Sequence, residues 1–231
     1  MTESVTPSLL IGNGEEGELK YISESLSARG VEFLTEKHRQ FVRIVPIKPV
    51  SGEAVFDVIG ETVCSFYKFR ELEPLSKDYQ NTDYEIYALI GALMSVEKEE
   101  ELRRVRKAVR GEREIALKTL VDFRLEALKE GWSGLKELAA LLLKQCSSAE
   151  DVYALVPYFL TVDEDNGIEV FSAERIKSVS AEREHVVPRL TENADVNAVV
   201  EVVRSRPTHV VVKEKERLSE KLLNTLRSLG E

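Results

Sequence analysis

Gly12-Asn13-Gly14-Glu15-Glu16-Gly17 is a literal G-x-G-x-x-G, the spacing with which a strand-to-helix turn offers backbone amides to a pyrophosphate. Glu36 follows Gly17 by nineteen residues, after a second apolar run, where a dinucleotide site keeps its ribose-binding acid. Two features oppose a coenzyme. Glu15 and Glu16 put negative charge where the pyrophosphate would sit, and like charges ~4–6 Å apart cost on the order of 1 kcal/mol or more. After Glu36 the pattern also turns to a hairpin and a long helical stretch, not to further strand–helix units. The motif therefore reads as a glycine-rich turn, and no cofactor is expected.

Asp163, Asp165, Asn166 and Gly167, with Glu174 twelfth in line, faintly outline a calcium loop. The glycine stands fifth where such a loop turns at its sixth residue, so a hairpin tip is the better reading. His38, His185 and His209 are isolated from one another and from Cys64 and Cys146, and no pair has metal-ligand spacing. Both cysteines lie in apolar helical patterns and read as small buried hydrophobes. There is no G-x-S-x-G elbow and no phosphate-cradling lysine loop. No catalytic residue and no metal site is expected, and a non-enzymatic protein is the leading expectation.

A cationic stripe is the one remaining constellation. Arg103, Arg104, Arg106, Lys107, Arg110 and Arg113 crowd one segment with only Glu112 opposing them. At about 100° per residue, all but Arg104 fall within roughly 120° of arc, with Leu102, Val105, Ala108 and Val109 opposite. Such a helix face could meet phosphates of nucleic acid or membrane, or an acidic protein. It could equally be a solvated face paired with Glu97, Glu99, Glu100 and Glu101. No aromatic residue interleaves with the arginines, which weighs against single-strand binding.

The elements that must carry these groups fall into three blocks of a 231-residue chain that is 43% hydrophobic, 32% charged and has a net charge of -9. This composition excludes disorder throughout and a generally basic surface. Residues 1–72 should form an N-terminal α/β subdomain. It opens with a strand at Ser8–Ile11 and a helix through Leu19, Ile22 and Leu26 that stops at Arg29-Gly30. Strands at 31–34 and 41–47 stand too close for a parallel crossover and should pair antiparallel. Residues 73–155 should be helical. Thr82 or Asp83 would cap one helix, a long helix over 97–130 would bend at Gly111, and Gly131-Trp132-Ser133-Gly134 would interrupt it. Leu135–Leu143 should be buried on most sides, and Ser147 or Ser148 should cap the next helix. Residues 156–231 should form a C-terminal α/β subdomain, with strands at 158–162, 168–171 and 210–212 and helices through 196–203 and 218–229. The fold class is α+β, with small mixed β-sheets at both ends of a predominantly helical middle. Two distant cysteines, an N-terminus unlike a signal peptide and no bilayer-length apolar run point to a cytoplasmic protein.

The order of three short segments resembles the YtxC-like sporulation protein family of spore-forming Firmicutes. They are Val121-Asp122-Phe123-Arg124-Leu125, Val156-Pro157-Tyr158-Phe159-Leu160, and Arg206-Pro207-Thr208-His209-Val210-Val211-Val212. The similarity runs over most of the chain in order. Thr208-His209 stands where that family has paired lysines, and relatives add a further strand beyond Gly230-Glu231. The resemblance implies a cytosolic accessory or interaction protein with an unidentified protein partner, and brings no activity to any residue. Within it Phe123 reads as core, and Arg124 as an ion-pair partner or anion contact. Arg103, Arg106, Lys107, Arg110, Arg113 and Arg124 are thus the candidate anion or partner contacts, with phosphate or nucleic-acid binding as the alternative use of the stripe.

Overall fold

The computed structural model describes residues 6–47, 52–79, 84–160, 166–179 and 183–230. In chain order the main elements are β1 (Ser8–Gly12), α1 (Glu16–Ala28), β2 (Phe33–Lys37), β3 (Phe41–Pro46), α2 (Gly52–Glu61), a π-helical turn (Thr62–Tyr67), α3 (Lys68–Leu72) and α4 (Pro74–Asp78). Then come α5 (Glu85–Ser95), α6 (Lys98–Val109), β4 (Glu114–Ala116), α7 (Leu117–Thr119), a second π-helical turn (Leu120–Arg124), α8 (Glu126–Leu143) and α9 (Ala149–Phe159). The last stretch holds β5 (Gly167–Ser172), β6 (Arg175–Ser178), β7 (Arg183–Val186), α10 (Ala194–Arg204), β8 (His209–Val212) and α11 (Glu220–Gly230). The class is mixed α+β with small sheets toward both ends, as the patterning predicts, and each sheet has four strands. Contacts cluster into two compact units, Met1–Lys68 with Lys98–Trp132 and Phe69–Glu97 with Ser133–Glu231, where the patterning along the chain marks three blocks.

In the first unit the sheet order is β2-β3-β1-β4. Leu9 lies opposite Ile44 across an antiparallel pair and opposite Ile115 across a parallel one, and all three side chains are buried. The β2–β3 hairpin is antiparallel, as its short connection requires. Helix α1 ends in a full Schellman motif. Gly30 takes φ +68°, its N–H donates to the Ser27 carbonyl, and the Val31 N–H donates to the Leu26 carbonyl. Val55, Val58 and Ile59 of α2 and Val105 and Val109 of α6 are buried at helical spacing, and a Cβ on Gly60 would lie 3.0 Å from Leu102.

In the second unit the sheet order is β7-β6-β5-β8, antiparallel except for β5–β8. Helix α5 is its centre: Ile86, Leu89, Ile90, Leu93 and Met94 are fully buried. Gly91 lets α10 come very close, since a Cβ there would stand 2.8 Å from the Val200 carbonyl oxygen. Ser148 caps α9 as expected, in a capping box with Asp151. Donation from the Ser147 backbone and hydroxyl and from the Ser148 amide holds the Asp151 carboxyl below the usual carboxylate range. Asn193 caps α10 by accepting from the Asp195 and Val196 amides.

Five expectations are corrected. The helix expected over 97–130 stops at Val109: Gly111 adopts φ +83°, and the chain then forms β4, where Ile115 points into the core. Gly131-Trp132-Ser133-Gly134 does not interrupt anything but lies inside α8. Leu138 and Leu141 in that helix are 48% and 58% exposed, so its end is not buried on most sides. Tyr158 and Phe159 close α9 instead of opening a strand, because the Ser148 cap starts a helix that runs to them. Val210–Val212, whose unbroken valine run reads as a buried strand, instead lie in a sheet-edge strand paired to β5, with Val210 and Val212 half-buried and Val211 exposed. Thr82, Asp83, Asp163 and Asp165 lie outside the described residues.

Candidate functional site: a charged groove and a cationic ridge

Glu53, Phe56 and Asp57 of α2 line an open groove of about 310 Å³ together with Arg106 and Arg110. The buried valines and isoleucine of α2 and the buried valines of α6 face the core, which leaves these five side chains at the mouth between the helices. Arg106 Nη2 donates to Asp57 Oδ1 at 2.7 Å, so one cation and one carboxylate of the groove neutralise each other. Arg110 stands one residue past the end of α6. It makes no ion pair among the described residues.

The stripe is therefore only partly paired. Arg103 and Arg104 share Glu100, with N···O separations of 2.8 and 3.2 Å. Arg124 Nη1 bonds Glu112 at 2.8 Å, and its Nη2 donates to the Ala108 carbonyl. That carbonyl belongs to the last turn of α6, where intrahelical donors run out and a cation is favoured by the dipole. Lys107, Arg110 and Arg113 are exposed and make no ion pair among the described residues. Arg113 has left the helix, and its carbonyl accepts the Ser8 N–H at 3.0 Å. Of the candidate contacts, the structure joins Arg106 and Arg110 at the groove, keeps Lys107 on the same helix, and ties Arg124 to the end of α6.

Phe123 is 77% exposed, which corrects the reading of it as core. The cause is local. The π-helical turn Leu120–Arg124 buries Leu120 and Val121 and rotates the following residues outward. The next residue, Arg124, binds Ala108 and Glu112, so the turn that exposes Phe123 is itself tied to the end of α6.

The same unit hides a polar cluster that the sequence reading placed on the surface. Glu101 is buried. Its Oε1 accepts from Lys68 Nζ and from Trp132 Nε1, each at 2.7 Å, and its Oε2 has no hydrogen-bond partner. Lys68 is fully buried. The spacing Glu101, Val105, Val109 puts this glutamate on the apolar face of α6, a signal outweighed by the neighbouring acids. Glu53, Phe56 and Asp57 went unnoticed as well, because their partners lie about fifty residues further along: Asp57 and Arg106 are separated by 49.

At the glycine motif, Gly14 takes φ +92° and the Glu15 N–H closes a turn on the Gly12 carbonyl at 3.2 Å. The Asn13 amide donates to the His38 and Arg39 carbonyls at 3.1 and 2.7 Å, fastening the turn to the β2–β3 tip. His38 stacks on Phe41, and Glu36 lies 3.8 Å from Arg43 on the neighbouring strand. Cys64 is buried and Cys146 half-buried, where burial first and then Asp151 push the Cys146 thiol up. The His209 ring lies over Gly167, where an added Cβ would stand 2.5 Å from Nε2. Among the described residues no three His, Cys, Asp or Glu side chains form a group able to hold a metal ion, and no helix is long and apolar enough to cross a membrane. Comparison with family models, curated proteins and solved structures finds no match to this chain.

Proposed function

We propose that the protein is a non-catalytic interaction protein whose first unit receives an acidic, partly apolar segment of a partner protein. This is the accessory role that the resemblance to YtxC-like sporulation proteins implies. The observation that carries it is the exposed, unpaired cationic end of the stripe, Lys107, Arg110 and Arg113, with no carboxylate partner among the described residues, together with Phe56 beside Arg110 in the groove and an exposed Phe123 next in sequence to the Arg124 that binds the end of α6. Aromatic and arginine side chains are the residue types that dominate interface energetics. An acidic segment would satisfy the cations, and an apolar side chain on it would cover Phe123 or enter the groove against Phe56.

A nucleic-acid ligand fits this surface less well. A protein that binds duplex through phosphates typically neutralises several of them, about six to ten in strong cases, whereas Arg103, Arg104, Arg106 and Arg124 are already engaged by acids of this chain. Glu53 and Asp57 also put negative charge on the groove wall. The test is titration of the full chain with two probes, a synthetic Asp/Glu-rich peptide carrying one tryptophan and a single-stranded oligonucleotide of equal charge. The peptide should bind more tightly, and Phe123→Ser and the double variant Lys107→Glu/Arg110→Glu should each weaken it roughly tenfold or more. Tighter binding of the oligonucleotide, or variants that bind the peptide like the parent, would refute the reading.

A further inference from the structure

Helix α8 carries an apolar face that nothing in the described chain covers. Within the second unit, Gly134, Leu138 and Leu141 fall in roughly 60° of arc at about 100° per residue. Both leucines are about half exposed. The helix also contains two interior glycines, Gly131 and Gly134, and an ideal Cβ on either would meet nothing within 4 Å. Each costs the helix about 1 kcal/mol relative to alanine, and no neighbour among the described residues requires the missing side chain.

We propose that this face binds a second copy of the same chain, with the two α8 segments antiparallel about a two-fold axis between Ala139 and Ala140. In that arrangement Leu138 of one copy faces Leu141 of the other, and reciprocally. Charge selects the second copy and its direction. Glu137 and Lys144 lie on one flank of the stripe, both exposed and both without an ion pair among the described residues. Leu135 and Leu142, half-buried, lie on the other flank. Antiparallel helices bring like flanks together, so Glu137 meets the partner's Lys144 twice per dimer. The two positions are offset by ~3 Å along the axis at 1.5 Å per residue, within reach of a lysine side chain. A parallel pair would set this charged flank against leucines. Gly134 lets the partner backbone approach where a larger side chain would hold it away. With two half-exposed leucines per copy at its centre, the contact is a small one, and the dimer is a weak one that assembles at high concentration.

Sedimentation velocity of the full chain over a dilution series from about 0.5 mM tests this. The parent should shift from dimer to monomer on dilution. Leu141→Glu should remain monomeric at every concentration while its helix content and melting temperature at low concentration stay those of the parent. Glu137→Lys alone and Lys144→Glu alone should each weaken dimerisation roughly fivefold or more, and the double variant Glu137→Lys/Lys144→Glu should restore it. A parent that is monomeric at 0.5 mM, a dimer indifferent to Leu141→Glu, or a double variant no better than the singles would overturn the proposal.

Discussion

Lys68 and Glu101 show how a single pair of residues can hold more stability at risk than it contributes. Removing two charges from water costs several kcal/mol per ion, and only close contact with further hydrogen bonds offsets that cost. Here Glu101 Oε1 receives both the Lys68 ammonium and the Trp132 indole, while Oε2 receives nothing. Lys68→Met should therefore destabilise the protein by about 3–5 kcal/mol, because it strands a carboxylate in the core. Adding Glu101→Leu should recover much of that loss, since the uncompensated charge disappears with it. Urea denaturation of the two variants decides the matter: a double variant as unstable as Lys68→Met would mean that packing, not the stranded charge, sets the cost. Legibility at this scale depends on locality. The Ser148–Asp151 capping box spans four residues and is readable from sequence, whereas Glu101 looks like one more acid in a charged run unless its register with Val105 and Val109 is weighed above its neighbours.

Between elements, glycines make the sharpest distinctions. Gly91 and Gly131 both sit inside helices, yet a Cβ on Gly91 would press on the Val200 carbonyl oxygen at 2.8 Å and one on Gly131 would meet nothing. Gly91→Ala should cost about 1–3 kcal/mol by forcing α5 and α10 apart, and Gly131→Ala should add up to about 1 kcal/mol through helix propensity. Thermal denaturation at low protein concentration reads both, and equal effects of the two substitutions would defeat the distinction. Strand β4 explains why part of the fold escaped the pattern. Arg110-Gly111 is a proper helix stop, but three residues are too few to show alternation, and their pairing rests on Ser8, which donates to the Arg113 carbonyl across 105 positions. Tyr158-Phe159 misled in the opposite way: strand-prone residues were carried into α9 by a well-capped start. The candidate site was half legible for the same reasons, since Arg103, Arg106 and Lys107 follow the periodicity of α6, whereas Arg110 and Arg113 lie beyond its end and Phe123 reaches the surface through a π-helical turn that periodicity does not mark.

At the scale of the whole chain, each unit is assembled from two separate segments, so that sequence order and spatial grouping diverge. Helix α5 precedes most of its unit in the chain, yet it supplies the middle of a core otherwise built from Phe69, Leu72 and Leu75 and from residues after Ser133. Ile86, Leu89, Ile90, Leu93 and Met94 are all fully buried there. Burying such side chains contributes about 1.5–3 kcal/mol each, or on the order of 10 kcal/mol together, which matches the whole stability of a typical domain. A fragment containing only residues 133–231 keeps its sheet, α9, α10 and α11 in sequence but loses this centre. It should give a collapsed amide spectrum and little near-ultraviolet circular dichroism, whereas joining residues 69–97 to its N-terminus through a flexible linker should restore dispersed resonances. If residues 133–231 alone gave a dispersed spectrum and a cooperative melt, the packing of α9 and α10 would not need α5, and the close approach at Gly91 would be a consequence of folding and not one of its conditions.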